Sequence, residues 1–192
     1  MRRFDRPQAI SFLHALDAAL KKDLEMFVVG GMAAILGYNA SVRTADSDVY
    51  AIDKGNAADL VQAAQAAREA TGIDLTIGAA SVAELPYEYE ERTKVIRGVR
   101  FSKLTVTVPD KYDLVLSKTV RGYPHDLEAI RSIHEHHRCA EKTLAKRFET
   151  EIWKIANTNP TTFAQNMVAV MQLLYGTPRA TFYRERWLDP RD

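Results

Sequence analysis

The chain has 192 residues, with 26 Lys plus Arg against 25 Asp plus Glu, 46% hydrophobic residues and one cysteine. That length holds a real core, and the balanced charge excludes any general pull toward nucleic acid or an acidic substrate, leaving local clusters to supply one. The lone Cys139 excludes an intramolecular disulfide framework and a multi-cysteine zinc site.

A single cysteine suits a reducing compartment, so a cytoplasmic protein is expected. The start, MRRFDRPQAISFLHALDAALKK, is interrupted by Asp5, His14 and Asp17 and lacks the apolar core of a signal peptide. No uninterrupted apolar run approaches the length of a membrane span.

In chain order, Ile10, Leu13, Leu16 and Leu20 fall at helical spacing behind Pro7 and predict a helix over residues 7 to 22. MFVVGG reads as a short buried strand ending in glycines, GMAAILGY as a two-turn helix and SDVYAI as the next strand. Asn56 is placed to cap the helix AADLVQAAQAAREA, Gly72 to end it in a left-handed cap, and IDLTIG follows as a third strand. TKVIRGVRFSKLTVTV predicts a hairpin about Gly98 whose second arm turns Leu104, Val106 and Val108 to one face.

From Asp110 the pattern becomes helical. Asp110 and Asp113 read as a capping pair for a helix through about Thr119, and Pro124 opens another that runs into SIHEHH. Leu144, Phe148, Ile152 and Ile155 make one stripe, and Phe163, Met167, Val170, Met171 and Leu174 make a second behind Pro160. TPRATFYRERWLDPRD has no evident apolar period and reads as a tail docking through Phe182, Tyr183 and Trp187. The expected fold class is therefore α/β (α+β), a mixed sheet with flanking helices over residues 1–109 and a helical C-terminal region over 110–192 packed on it.

Chemistry concentrates in VVGGMAAILGYNASVRTADSDVY. Gly30 and Gly31 end a strand and open a helix, where free N–H groups and the positive dipole end suit a phosphate. Asp46 and Asp48 are two residues apart on a strand of period two, which puts both carboxylates on one face and makes them oxygen ligands for Mg2+ or Mn2+. Phosphate on glycines and metal on aspartates is the arrangement of phosphoryl or nucleotidyl transfer.

This pattern resembles the nucleotidyltransferase fold of the DNA polymerase β superfamily. LPYEYEERTKV and VTVPDKYDLVLSKTVRGYPHDLEAI extend the likeness to bacterial nucleotidyltransferase-like proteins related to the toxin of type IV abortive-infection systems, over roughly residues 25 to 135. Pro86, Tyr89 and Arg92 match that family's Pro-x-x-Tyr-x-x-Arg segment, and Lys118 and Asp126 match parts of its later Lys and Asp segment. The resemblance implies Gly30 and Gly31 as the phosphate-facing turn, Asp46 and Asp48 as metal ligands, and Arg92 and Lys118 as nucleotide contacts. It also implies a nucleoside triphosphate as donor, an RNA, protein or small-molecule acceptor, and a cognate antitoxin or other partner protein in a toxin-antitoxin or phage-defence setting.

A third carboxylate normally completes such a site, and KLTVTV offers threonines instead. Either Asp74 on IDLTIG is that ligand or this copy is impaired and serves as a binding module. A D-x-D glycosyltransferase holding manganese fits less well, because it needs a larger nucleotide-binding domain than the roughly hundred residues here. Lys94, Arg97, Arg100 and Lys103 read as protection of an edge strand or as a surface that steers RNA. In HEHHR, a helix-end histidine group is favoured over a metal site, since no second ligand pair stands elsewhere.

Overall fold

The computed structural model describes residues 4–42, 46–51, 57–79, 83–154 and 156–189. The expected cap Asn56 and the stripe residue Ile155 lie outside these. Two compact units emerge, one of residues up to 83 together with 92–109, the other of 84–91 and 110 onward. Among the described residues, no helix is long and apolar enough to cross a membrane.

The first unit is α1 (Arg6–Ala19), β1 (Leu24–Val28), α2 (Gly30–Tyr38), β2 (Asp46–Ala51), α3 (Ala57–Thr71), β3 (Thr76–Ala79), β4 (Lys94–Val95) and β5 (Leu104–Val108). Asp5 and Gln8 form a reciprocal capping box at the start of α1, with Pro7 in its first turn, and Ala9, Phe12, Leu13 and Leu16 are its buried face. The strands form one mixed sheet in the order β3-β2-β1-β5-β4. β1 runs antiparallel to β2 and parallel to β5, β2 runs parallel to β3, and β4 runs antiparallel to β5. β5 alternates as expected, with Leu104, Val106 and Val108 buried.

Asp17 fastens α1 to the start of β5. Its carboxylate, 7% exposed, accepts from the backbone N–H of Ser102 (2.9 Å), Lys103 (2.7 Å) and Leu104 (2.8 Å). Burial pushes its pKa up, but the three backbone donors and the Lys103 charge outweigh burial and hold it below the ordinary value. Lys103 is drawn in as well, its ammonium donating to the Leu20 carbonyl at 2.5 Å. Of the hairpin cations, Lys94 sits exposed on the short edge strand β4, as edge protection requires.

The second unit holds α4 (Lys111–Arg121), α5 (Pro124–His137), α6 (Glu141–Arg147), a π-helical turn (Phe148–Ile152), α7 (Pro160–Tyr175) and α8 (Thr177–Trp187). Asp110 caps α4 by accepting from Tyr112 and Asp113 N–H, and Asn159 caps α7 by accepting from Thr161 and Thr162 N–H. Residues 84–91 join this unit through Tyr87 N–H to the Glu151 carbonyl (3.0 Å) and Asn157 N–H to Glu84 (2.5 Å).

The expected tail is a helix. Ala180, Tyr183 and Trp187 of α8 are buried, while Phe182 is 46% exposed and does not dock. Trp187 lies against Phe148 at 4.6 Å between ring centroids, stacks on Tyr183 at 4.5 Å and donates its indole N–H to Glu149 at 2.8 Å. Two aromatic side chains and one alanine are too sparse a stripe to stand out among the charges of FYRERW. Their energy comes from large rings meeting a distant phenylalanine.

Candidate functional site

The candidate site forms at one end of the first unit's sheet. β1 ends at Val28 and α2 begins at Gly30, with Val29 alone between them. Gly30 has φ +66°, a left-handed conformation that a side chain disfavours, and this lets the chain turn from strand to helix at once. Val29 makes no side-chain capping bond, so the first N–H groups of α2 are left uncapped by that residue at the positive end of the helix dipole. Met32 through Leu36 are buried, and a Cβ on Gly37 would lie 2.8 Å from Val108 Cγ2, so α2 approaches β5 closely at Gly37, where a larger residue would clash. Tyr38 Oη donates to the Pro109 carbonyl at 2.5 Å and ties the same helix to the exit of β5.

Pairing brings the aspartate strand to this junction. Val28 pairs with Val49, so Asp48, the next residue of β2, comes level with Val29. Asp46 lies two residues further, about 6.6 Å along the strand. The side chains of Asp46 and Asp48 lie outside the described residues; the strand register sets their backbone positions.

The same registers bring other candidates to this end. β2 and β3 both start here, with Asp46 paired to Thr76. Asp74 is exposed and precedes the strand by two residues, where the sequence had placed it on the strand. The physical reason is the turn after α3: Gly72 takes a φ of +65° and Ile73 N–H bonds Thr71 Oγ1 at 3.2 Å, so pairing begins only at Thr76. β4 also starts here, its Lys94 paired with Val108, and Arg92 lies two residues ahead of it at the end of the 3-10 turn Tyr89–Arg92. Three strand spacings separate β4 from β2, about 14 Å. Arg92 therefore belongs to the far side of this sheet end.

Other residues are placed elsewhere. Pro86 and Tyr89 line a hollow of about 390 Å³ formed by Leu85 to Glu91 in the second unit, with Glu88, Glu90 and Glu91 in its wall, a charge that repels phosphate. Lys118 is 3% exposed, and its ammonium meets Asp126, itself fully buried, at 3.1 Å, with Arg121 on the same oxygen at 2.8 Å. The expected triphosphate contact is thus a buried ion pair of the second unit, because an Asp without exposure requires opposing charge beside it.

β5 (LTVTV) has no acid, and among the described residues no three His, Cys, Asp or Glu come together to hold a metal. Of the histidine group, His134 is a packed side chain. His134 is buried, its Nδ1 accepts from Cys139 N–H at 3.3 Å, and burial, with Arg138 and Lys111 nearby, lowers its pKa and keeps it neutral. Burial pushes the Cys139 thiol up to about 11, which excludes a reactive thiolate.

A strand, a glycine-opened helix and an acidic strand in a mixed sheet define a nucleotidyltransferase-like α/β fold. The family model for a nucleotidyltransferase of unknown function (DUF6036) matches residues 9–172, and the chain belongs to that family. A comparison with curated proteins and one with solved structures each gave no match.

Proposed function

We propose that this chain is a metal-dependent nucleotidyltransferase that moves a nucleoside monophosphate from a nucleoside triphosphate to a hydroxyl on RNA, protein or a small molecule. The supporting observation is the β1–β2 register, which brings Asp48 level with the glycine-opened start of α2. Paired carboxylates are hard oxygen donors, so Asp46 and Asp48 would hold Mg2+ or Mn2+. When bound, such an ion neutralises phosphate charge and activates the attacking oxygen.

The backbone at Gly30 and Gly31 and the N-terminal end of α2 receive the phosphates. Arg92 contributes positive charge at the same end of the sheet. The acceptor's oxygen bonds the α-phosphorus while the bond to the β-phosphate breaks. Pyrophosphate leaves with the electron pair and the hydroxyl proton passes to water. By family resemblance the setting is a bacterial toxin-antitoxin or phage-defence system in the cytoplasm, with a cognate antitoxin as partner.

The test is transfer of label from α-32P nucleoside triphosphates to RNA or protein with magnesium, for wild type and Asp46→Asn. Labelling in the wild type that the variant loses is expected, and equal labelling in both overturns the proposal. A second reading, a nucleotide-binding or regulatory module without catalysis, is favoured by the absence of an acid on β5. It predicts a magnesium-dependent thermal shift with one triphosphate and no transfer by the wild type.

A further inference from the structure

In the second unit, α6 with its π-helical continuation and α8 enclose a groove of about 320 Å³. Lys142 and Lys146 line it one turn apart on one side; Arg179, Phe182 and Arg186 line it at helical spacing on the other. Its charge is lopsided: those four cations face Glu149 within the groove, and Glu141 beside it.

The two arginines are held in place. Arg179 binds Glu141, and Arg186 binds both oxygens of Glu149 at 2.6 and 2.9 Å. Glu141 and Glu149 are further committed to Tyr183 and Trp187 through bonds of 2.9 and 2.8 Å. Lys142 and Lys146 are exposed and form no ion pair among the described residues, which leaves a positive surplus at the groove.

Phe182 adds what a purely basic patch lacks. It is a large aromatic ring, 46% exposed, standing between the two arginines, with the Arg179 guanidinium 4.8 Å from its centroid. The second unit holds it outward, although burial would have been favourable by its apolar area. Cations that follow a backbone, beside a ring and a guanidinium plane on which bases stack, are the chemistry that holds single-stranded nucleic acid. An acidic peptide would use the lysines but has no need of the ring.

We propose that the groove between α6 and α8 is a docking site for single-stranded nucleic acid, with phosphates on Lys142 and Lys146 and a base on Phe182 and Arg179. The site lies wholly within the second unit and is independent of the aspartate site.

The test is fluorescence anisotropy of the full chain with a labelled 12-nucleotide oligouridylate, without magnesium or nucleotide, from 50 to 300 mM salt, beside the matched oligothymidylate. Binding should weaken with salt at a log–log slope of roughly −1.4 for two phosphates and be lost in the Lys142→Glu/Lys146→Glu variant. Phe182→Ala should weaken it about tenfold, within the range for loss of one base stack. Melting temperatures of both variants should match the wild type, since the changed side chains are exposed. Preference between the two oligonucleotides identifies the sugar.

Three results overturn the proposal: no binding of either oligonucleotide at 50 mM salt, binding unchanged in the double-lysine variant, or displacement by polyglutamate with no effect of Phe182→Ala. The last result would identify an acidic-protein surface. Because Asp46→Asn leaves this groove intact, loss of transfer and loss of docking are separable.

Discussion

The described acids of the second unit are more often buried against cations than those of the first. In the second, Asp110, Asp113 and Asp126 are buried beside guanidinium and ammonium groups: Arg147 bridges Asp110 and Asp113 at 2.8 and 2.9 Å, and Lys118 and Arg121 meet at Asp126. In the first, Asp46 and Asp48 lie on a strand whose start is level with the end of β1, and Asp74 stands exposed ahead of the next strand. Asp17, with its three backbone donors, is a structural acid of the first unit. An acidic residue type therefore says little by itself: Asp126 is buried against two cations, whereas Asp74 stands in solvent.

The contrast makes predictions of decreasing size. Asp46→Asn should lower nucleotide transfer by roughly a thousandfold or more, as loss of a catalytic metal's ligand does, with an unchanged melting temperature. A large drop in stability instead would move Asp46 into the structural class. Arg147→Ala should destabilise the chain by about 3–5 kcal/mol in urea unfolding, because it leaves buried carboxylates without their bridge. A loss under 1 kcal/mol would mean that the pair is dispensable.

Asp17→Ala should cost about 3 kcal/mol, from lost bonds to a charged acceptor. The wild-type carboxyl titrates below its ordinary 3.8 in the folded chain, so its contribution is complete above that value and fades as pH falls through the folded pKa. Stability measured from pH 6 to 2 should therefore fall more steeply in the wild type than in Asp17→Asn.

The smallest effect belongs to His134. The folded chain holds it neutral while the unfolded chain takes up a proton below the ordinary 6.5, so stability should decline as pH drops through 6.5 toward the folded value. His134→Gln should flatten that part of the profile, and an unchanged slope would show that the imidazole is protonated freely in the fold.

Local chemistry alone determined much of this protein. Pro7, Pro124 and Pro160 in first turns, Asp110 as a cap, Gly72 as a left-handed stop and the alternation of LTVTV are written within a few residues of what they control, so the elements were legible. The glycine pair before a helix and the D-x-D on a strand were legible for the same reason. Tertiary structure decided the rest. The strand order, the level of Asp48 with Val29, the arrival of Arg92 at the same sheet end, the clamp of Asp17 on Ser102 to Leu104 and the seating of Trp187 on Phe148 all join residues distant in sequence. Lys118 shows the reason: a lysine matched to a motif carries no mark of whether it faces a phosphate or a buried aspartate, and only the packing of α4 against α5 sets its partner.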